Sequence, residues 1–188
     1  MTENGGSSSD TERVMVDIET LGLEPGSAIL SIGAVKFDSA GQTDEFYREI
    51  DVRTCEEAGL IIDIETLDWH IIECSTFSGR TLTDGVKLAT ALKDFYVWAE
   101  DADEYWANSP KFDATMLEAA GEPFGVSMPW EYYELRDVRT IKTFPGVEEP
   151  EFDGTEHNAL DDAKHQARIV SEALQSLKPE RDQKEGGA

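Results

Sequence analysis

Between residues 13 and 50 the chain offers three strand-like runs in succession, and this opening limits the fold more than any other feature. RVMVDI is short, apolar and β-branched. LGLEPGS follows as a turn punctuated by Pro25 and Gly26. AILSIGAVKFD and QTDEFYREI read as a second and third strand, with SAGQ as the hairpin between them. Helical signals come next. Asp84 is placed to cap GVKLATALKDFYVWAE, whose Val86, Leu88, Leu92, Phe95 and Trp98 lie near one side. EYWAN reads as a short strand. SPKFDATMLEAAG reads as a helix begun by Ser109 and Pro110 and stopped by Gly121. WEYYEL is expected to be a strand, and DVRTIKTF a short helix capped by Asp137. The loop GVEEPEFDGTEH is acidic and contains glycine, and is expected to be mobile. Leu160, Ala163, Ala167, Val170, Leu174 and Leu177 recur at helical spacing and predict an amphipathic helix over about 158–177. Strands first, then alternating helix and strand, indicate an α/β domain built on a mixed sheet.

With 188 residues this is one domain, expected over 13–178, between polar tails at 1–12 and 179–188. The first residues carry neither a basic nor an apolar signal region, and no run is long enough to span a bilayer. A soluble, cytoplasmic protein without a membrane partner is expected. Cys55 and Cys74 form no CxxC pair and read as reduced thiols. The charge is unusual: 16 basic against 40 acidic residues, a net −24. Such a surface repels nucleic acid in dilute salt. One reading is a polyanion mimic, a non-catalytic protein that competes for a basic partner. The other is a protein adapted to concentrated salt, cellular or viral, where charges are screened within a few ångströms. The acids are interleaved with core residues along the whole chain, which favours the second.

The pentapeptide DIETL occurs twice, at 17–21 and 63–67. The first copy ends an apolar strand. Residues two apart in a strand share a face, so Asp17 and Glu19 point the same way. Two adjacent carboxylates there repel each other, and burial disfavours their charge. A hard divalent cation such as Mg²⁺ relieves both costs. The plainer alternative is a solvated strand end. The second copy leads into LDWHIIEC, where Ile64, Leu67, Ile71 and Phe77 have helical spacing and Trp69 and Ile72 widen the stripe. On a helix, Asp63 and Glu65 lie roughly 200° apart and cannot share an ion. Asp63 reads as an N-cap, with Thr66 in the first turn.

Further acids are needed for a metal site. Asp113 falls just inside a helix that follows a short strand. Asp161 and Asp162 open the long C-terminal helix, and periodicity does not choose between them. His157 precedes them. His165 lies opposite the apolar stripe and His70 on the polar side of its helix, so both read as solvent-facing.

VDIETLGL, ANSPKFDATML and EHNALDDA, in this order, resemble the three motifs of the DEDDh group of 3′–5′ exonucleases. The third has the group's His, four residues, Asp spacing. DIETLG before ILSIGAVKFD, the helix around TLDWH, and DVRT look most like the branch with phage exonuclease A and the mycobacterial-type exoribonuclease. The resemblance covers about residues 13–177 and implies a ribonuclease-H-like fold, a mixed β-sheet flanked by α-helices. It implies two divalent ions, Mg²⁺ or Mn²⁺, held by Asp17, Glu19, Asp113 and Asp162, with His157 as general base. It selects Asp162 over Asp161. Two such ions about 3.5–4 Å apart stabilise both the attacking and the leaving oxygen. Asp17 would bridge them, Glu19 and Asp162 would complete the site of the nucleophilic water, and Asp113 would serve the second ion. The substrate would be nucleic acid with a free 3′ end, single-stranded or overhanging, and the products nucleoside 5′-monophosphates. Backbone amides around Thr20, Leu21, Gly22 and Leu23 are candidates to meet the terminal nucleotide, with Leu21 or Leu23 as a wedge against its base. Phe112 is expected in the helix core rather than in stacking. Relatives are often homodimers. The group's usual basic surface is missing here.

Overall fold

The computed structural model describes residues 11–74 and 82–177. Most of both expected tails, and Phe77 of the expected α2 stripe, fall outside the described residues. Five strands form one mixed sheet: β1 (Arg13–Thr20), β2 (Ile29–Phe37), β3 (Gln42–Glu49), β4 (Glu104–Ala107) and β5 (Leu135–Asp137), in the order β3-β2-β1-β4-β5. β1, β2 and β3 are antiparallel neighbours, whereas β4 and β5 run parallel to β1. The helices are α1 (Val52–Glu57), α2 (Ile64–Glu73), α3 (Leu88–Ala99), α4 (Pro110–Gly121), α5 (Val138–Ile141) and α6 (Ala159–Ser176). None of them is long and apolar enough to cross a membrane.

Both faces of β1 are covered, and its alternation assigns residues to two cores. Val14, Val16 and Ile18 join Leu92 and Phe95 of α3 and Leu117 of α4. Met15 joins Ala163, Ala167 and Val170 of α6, with Val35 and Trp106. Asp17 and Glu19 continue the Met15 side, so the carboxylates point from the end of the strand toward α6. Gly33 makes this approach possible. It pairs with Asp17 in the β1–β2 register, and a Cβ there would lie 2.2–2.4 Å from the backbone of Ala159 and Leu160.

The second DIETL is a helix start, as its spacing predicts. The Asp63 carboxylate accepts from the Thr66 amide at 2.8 Å and the Thr66 hydroxyl at 3.0 Å. The helix is nevertheless turned over relative to expectation. Ile64, Ile71 and Ile72 face solvent, while His70 is buried and its Nε2 lies 2.9 Å from the Thr20 carbonyl oxygen. That bond, together with the Asp63 amide donating to Leu21 O at 2.7 Å, fastens α2 to the exit of β1 by its polar side.

Three other expectations are corrected, and the end of α4 is explained. Helix α3 begins at Leu88 rather than after Asp84, because Val86 bridges to Ile50 and exchanges backbone hydrogen bonds with Glu49 and Asp51. Val86 therefore lies outside the helix. Gly121 is the last residue of α4, as expected; a 3₁₀ turn (Glu122–Phe124) follows it to Gly125 at φ 63°, and a Cβ at Gly121 would meet Val126 O at 2.2 Å. WEYYEL is mostly not strand: Tyr132 and Tyr133 are exposed in a turn, and pairing with β4 begins only at Leu135. Glu12, assigned to the N-terminal tail, is tied in by an ion pair with Lys36 at 2.8 Å.

Gly33→Ala should force α6 off the sheet. Overpacking of this kind costs about 1–3 kcal/mol. The variant should melt several degrees lower and bind Mn²⁺ more weakly, because the first turn of α6 carries Asp162. Differential scanning calorimetry and a metal titration check both. An unchanged melting temperature would show that the backbone yields at this contact.

Candidate active site

The site forms where β1 ends and helices from both faces of the sheet converge. Ligand oxygens of Asp17, Glu19 and Asp162 all lie within 4.8 Å of one another. Asp162 sits in the first turn of α6, one turn from the Asn158 cap, whose side chain accepts from Leu160 and Asp161. Asp161 points elsewhere and accepts from the Thr155 amide at 2.9 Å. The structure thus separates two neighbours that helical periodicity left equivalent.

Asp113 comes from α4, on the opposite face of the sheet. It is buried and is not among the three whose ligand oxygens lie within 4.8 Å of one another. Burial pushes its carboxyl up to about 7, while its own amide, the Ile18 amide and the Arg139 charge act against that rise. The Asp17 carboxyl is raised well above its ordinary range, chiefly by burial and then by the charge of Asp113, with smaller contributions from Glu19 and Asp162. Asp162 is raised by burial too, and the charge and amide of His157 act against this. A group of carboxyls that resist ionisation together fits a centre for divalent cations, which favour their charged forms.

His157 sits at φ 61°, a left-handed conformation uncommon outside glycine, and its ring packs edge-on against Trp69 at 4.8 Å. The loop before it, expected to be mobile, is pinned at three places. Arg168 donates to Glu151 O, Thr155 N donates to Asp161, and Phe152 packs on His165. His165 is therefore not a solvent residue; burial, then the nearby Arg168 and Lys142, hold its pKa down.

A cavity of about 600 Å³ opens beside the carboxylates, lined by Glu19, Thr20, Leu23, Trp69, His70 and Phe112 among others. Of the four residues expected to meet substrate, Thr20 and Leu23 line it. Leu21 is in the core with its amide bonded to Ala28 O, so it does not serve as a wedge. Gly22 gives room to Ser27, whose hydroxyl would lie 2.4 Å from a Cβ. Phe112 both packs on the core and lines the cavity.

Sequence reasoning missed three residues here. His70, expected on the solvent side of α2, and Trp69, expected in its apolar stripe, both stand in the cavity wall. Gln166 is buried one turn beyond Asp162, and its Nε2 donates to Asp17 Oδ1 at 2.9 Å. Its spacing of four from Asp162 places both on one helix face and was the available signal.

Raised carboxyl pKa values give the metal-free protein a definite pH dependence. A carboxyl that binds its proton more tightly when folded stabilises the fold below its unfolded pKa. That stability is lost as pH rises toward the folded value, here from about 4 to about 7 for Asp113. Melting temperature in a chelator should therefore fall from pH 5 to pH 8, and fall less in Asp17→Asn. Equal slopes in parent and variant would remove this linkage.

The family model described as a 3′-5′ exoribonuclease Rv2179c-like domain matches residues 12–174. Comparison with curated protein sequences gave no match. Among solved structures, the nuclease domain of 3′hExo, a DEDDh family member bound to rAMP, is similar at TM-score 0.66 and 16% identity, over 90% of this chain and 94% of that one. Exonuclease X in complex with 5′ overhanging duplex DNA is similar at TM-score 0.59 and 15% identity, over 88% and 92%. A 3′-exonuclease in a complex described as 3′-end specific recognition of histone mRNA stem-loop gives 0.60 and 16%, over 90% and 84%. These likenesses establish the ribonuclease-H-like mixed sheet with flanking helices. With the family model spanning nearly the whole chain, the protein belongs to the Rv2179c-like 3′-5′ exoribonuclease family.

Proposed function

We propose that the protein shortens RNA with a single-stranded or overhanging 3′ end, one nucleoside 5′-monophosphate at a time, using two divalent ions and His157. The observation that carries this reading is the convergence of Asp17, Glu19 and Asp162 within 4.8 Å beside a cavity of nucleotide size. Asp17, Glu19 and Asp162 would hold one ion, and Asp113 would help hold the second. When bound, such ions supply positive charge to the attacking and leaving oxygens. His157 accepts a proton from the attacking water through a ring nitrogen. The water oxygen bonds to phosphorus, the bond to the upstream 3′ oxygen breaks, and that oxygen takes a proton from a solvent water to leave as a hydroxyl. The released nucleotide keeps the 5′ phosphate. Leu23 and Phe112 offer apolar walls to the terminal base, and Thr20 a polar edge.

Affinity for a polyanion must come from few cations. Arg13, Lys36, Arg48, Arg53, Arg136, Lys142 and Lys164 are engaged with carboxylates of the protein itself. Substrate attraction therefore rests on bound ions and apolar contact, neither of which depends strongly on counterion release. We propose that activity persists in molar potassium chloride.

Matched RNA and DNA oligonucleotides labelled at the 5′ end test this with Mg²⁺ or Mn²⁺ across a salt series. A ladder shortening from the 3′ end is expected, faster on RNA. Asp17→Ala and His157→Ala should lower the rate at least about a hundredfold. Asp63→Ala should keep the activity and lose about 1 kcal/mol of stability through its cap. Preference for DNA would reverse the substrate assignment. Full activity in His157→Ala would remove the general base, and a steep fall in rate at high salt with the fold intact would remove the salt proposal.

A further inference from the structure

Gln166 is the side chain at the site that no motif accounts for. It lies on α6 one turn beyond Asp162 and is 6% exposed. Its Nε2 donates to Asp17 Oδ1 at 2.9 Å, and this bond lowers the Asp17 pKa against the larger effect of burial. A metal-chelating Asp17 is ionised and only accepts, so in a loaded centre the bond fixes which end of the carboxamide is nitrogen. The other end, Oε1, is buried and has no hydrogen-bond partner in the protein. A buried acceptor left in that condition costs the full desolvation of its oxygen. A leucine or methionine could fill the same volume between α6 and β1 without that cost. The amide is explained if both of its ends are used once the centre is loaded.

We propose that Gln166 is a positioning residue of the metal centre, with Nε2 holding Asp17 in its chelating orientation and Oε1 accepting a hydrogen bond from a water bound to the divalent ion. The proposal rests on the reading of Asp17, Glu19 and Asp162 as metal ligands. It adds to them a neutral neighbour that lends no charge and makes no bond to metal. The carboxylates already repel one another, so an amide can orient Asp17 where a further acid would add to the repulsion. Lysine or arginine at this position would satisfy Asp17 with a fixed positive charge and compete with the cation. The amide satisfies it without competing. Partners that orient metal ligands in this way are typically worth 10–100-fold in metal affinity.

The test is Mn²⁺ binding to the full chain by isothermal titration calorimetry, for the parent, Gln166→Met, Gln166→Asn and Asp162→Asn. Gln166→Met keeps volume and removes both hydrogen bonds. Gln166→Asn keeps the amide and withdraws it by one methylene. Thermal melting in a chelator reports the fold independently of metal. The expected result is Mn²⁺ affinity at least tenfold weaker in both Gln166 variants, with Gln166→Met melting in chelator at or above the parent's temperature. A folded Gln166 variant that binds Mn²⁺ within threefold of the parent overturns the proposal, as does a loss of metal-free stability with affinity unchanged. Asp162→Asn separates the two levels of inference. If it too binds like the parent, the ligand assignment fails. If it loses Mn²⁺ while Gln166→Met does not, only the role of Gln166 fails.

Discussion

The first turn of α6 lies directly on β2 at Gly33, and the geometry of the site depends on that contact. A Cβ at Gly33 would overlap the backbone of Ala159 and Leu160. Gly33 is also the cross-strand partner of Asp17. One missing methyl group therefore sets the distance between the strand that carries Asp17 and Glu19 and the helix that carries Asp162 and Gln166. Neither element could hold the cluster alone. The strand supplies two carboxylates by its alternation of two, and the helix supplies the third and the amide by its spacing of four. Ala163 and Ala167, buried against the sheet, keep that close approach along the next turns.

The arrangement works against itself electrostatically. Asp17, Asp113 and Asp162 are all raised by burial, and Asp17 further by its acidic neighbours. The protein offsets only part of this with neutral donors: the Ile18 amide for Asp113, the His157 amide for Asp162 and the Gln166 carboxamide for Asp17. Arg139 contributes charge from outside, at Asp113. Two separate cores, one on each side of β1, pack the strand that carries Asp17 and Glu19. Stability is given up at a cluster of carboxyls that could hold a cation, a common pattern at functional sites.

Five identical letters show what could be read from sequence and what could not. DIETL at 17–21 follows an apolar β-branched run, so a period of two put Asp17 and Glu19 on one face. DIETL at 63–67 precedes a helical stripe, so a period of 3.6 parted Asp63 from Glu65 and left a cap. Both readings needed only local periodicity, and both match the structure. The long-range partners were less accessible. Asp161 and Asp162 were equivalent by periodicity, and only the likeness of EHNALDDA to a known motif chose between them. Helix α2 was misread because an apolar stripe normally faces inward. Here two hydrogen bonds to the exit of β1 decide the orientation of a short peripheral helix and bury His70 instead. The start of α3 was misplaced for a related reason: Val86 spends its backbone groups on a bridge to Ile50 that no local pattern announces. Gln166 was passed over because an amide on a helix carries no signal until its partner on another element is known.

The charge of −24 bears on this site in a particular way. An enzyme that acts on a polyanion usually advertises cations, yet many described cations here are bound within the protein. Lys36 alone is shared between Glu12 and Asp101. Such pairs are worth little on a surface in water. They do, however, remove cations from view, and the outward field stays negative. On the proposed reading, attraction to phosphate is local and would arise from a divalent ion held by Asp17, Glu19 and Asp162, beside a cavity walled by Leu23, Trp69 and Phe112. A strand held elsewhere on the surface would meet repulsion. One whose 3′ end reaches the cavity would meet charge of the opposite sign and apolar walls. In this protein the surface and the site thus oppose each other, and the contrast between them favours engagement by the end of a chain over engagement along its length.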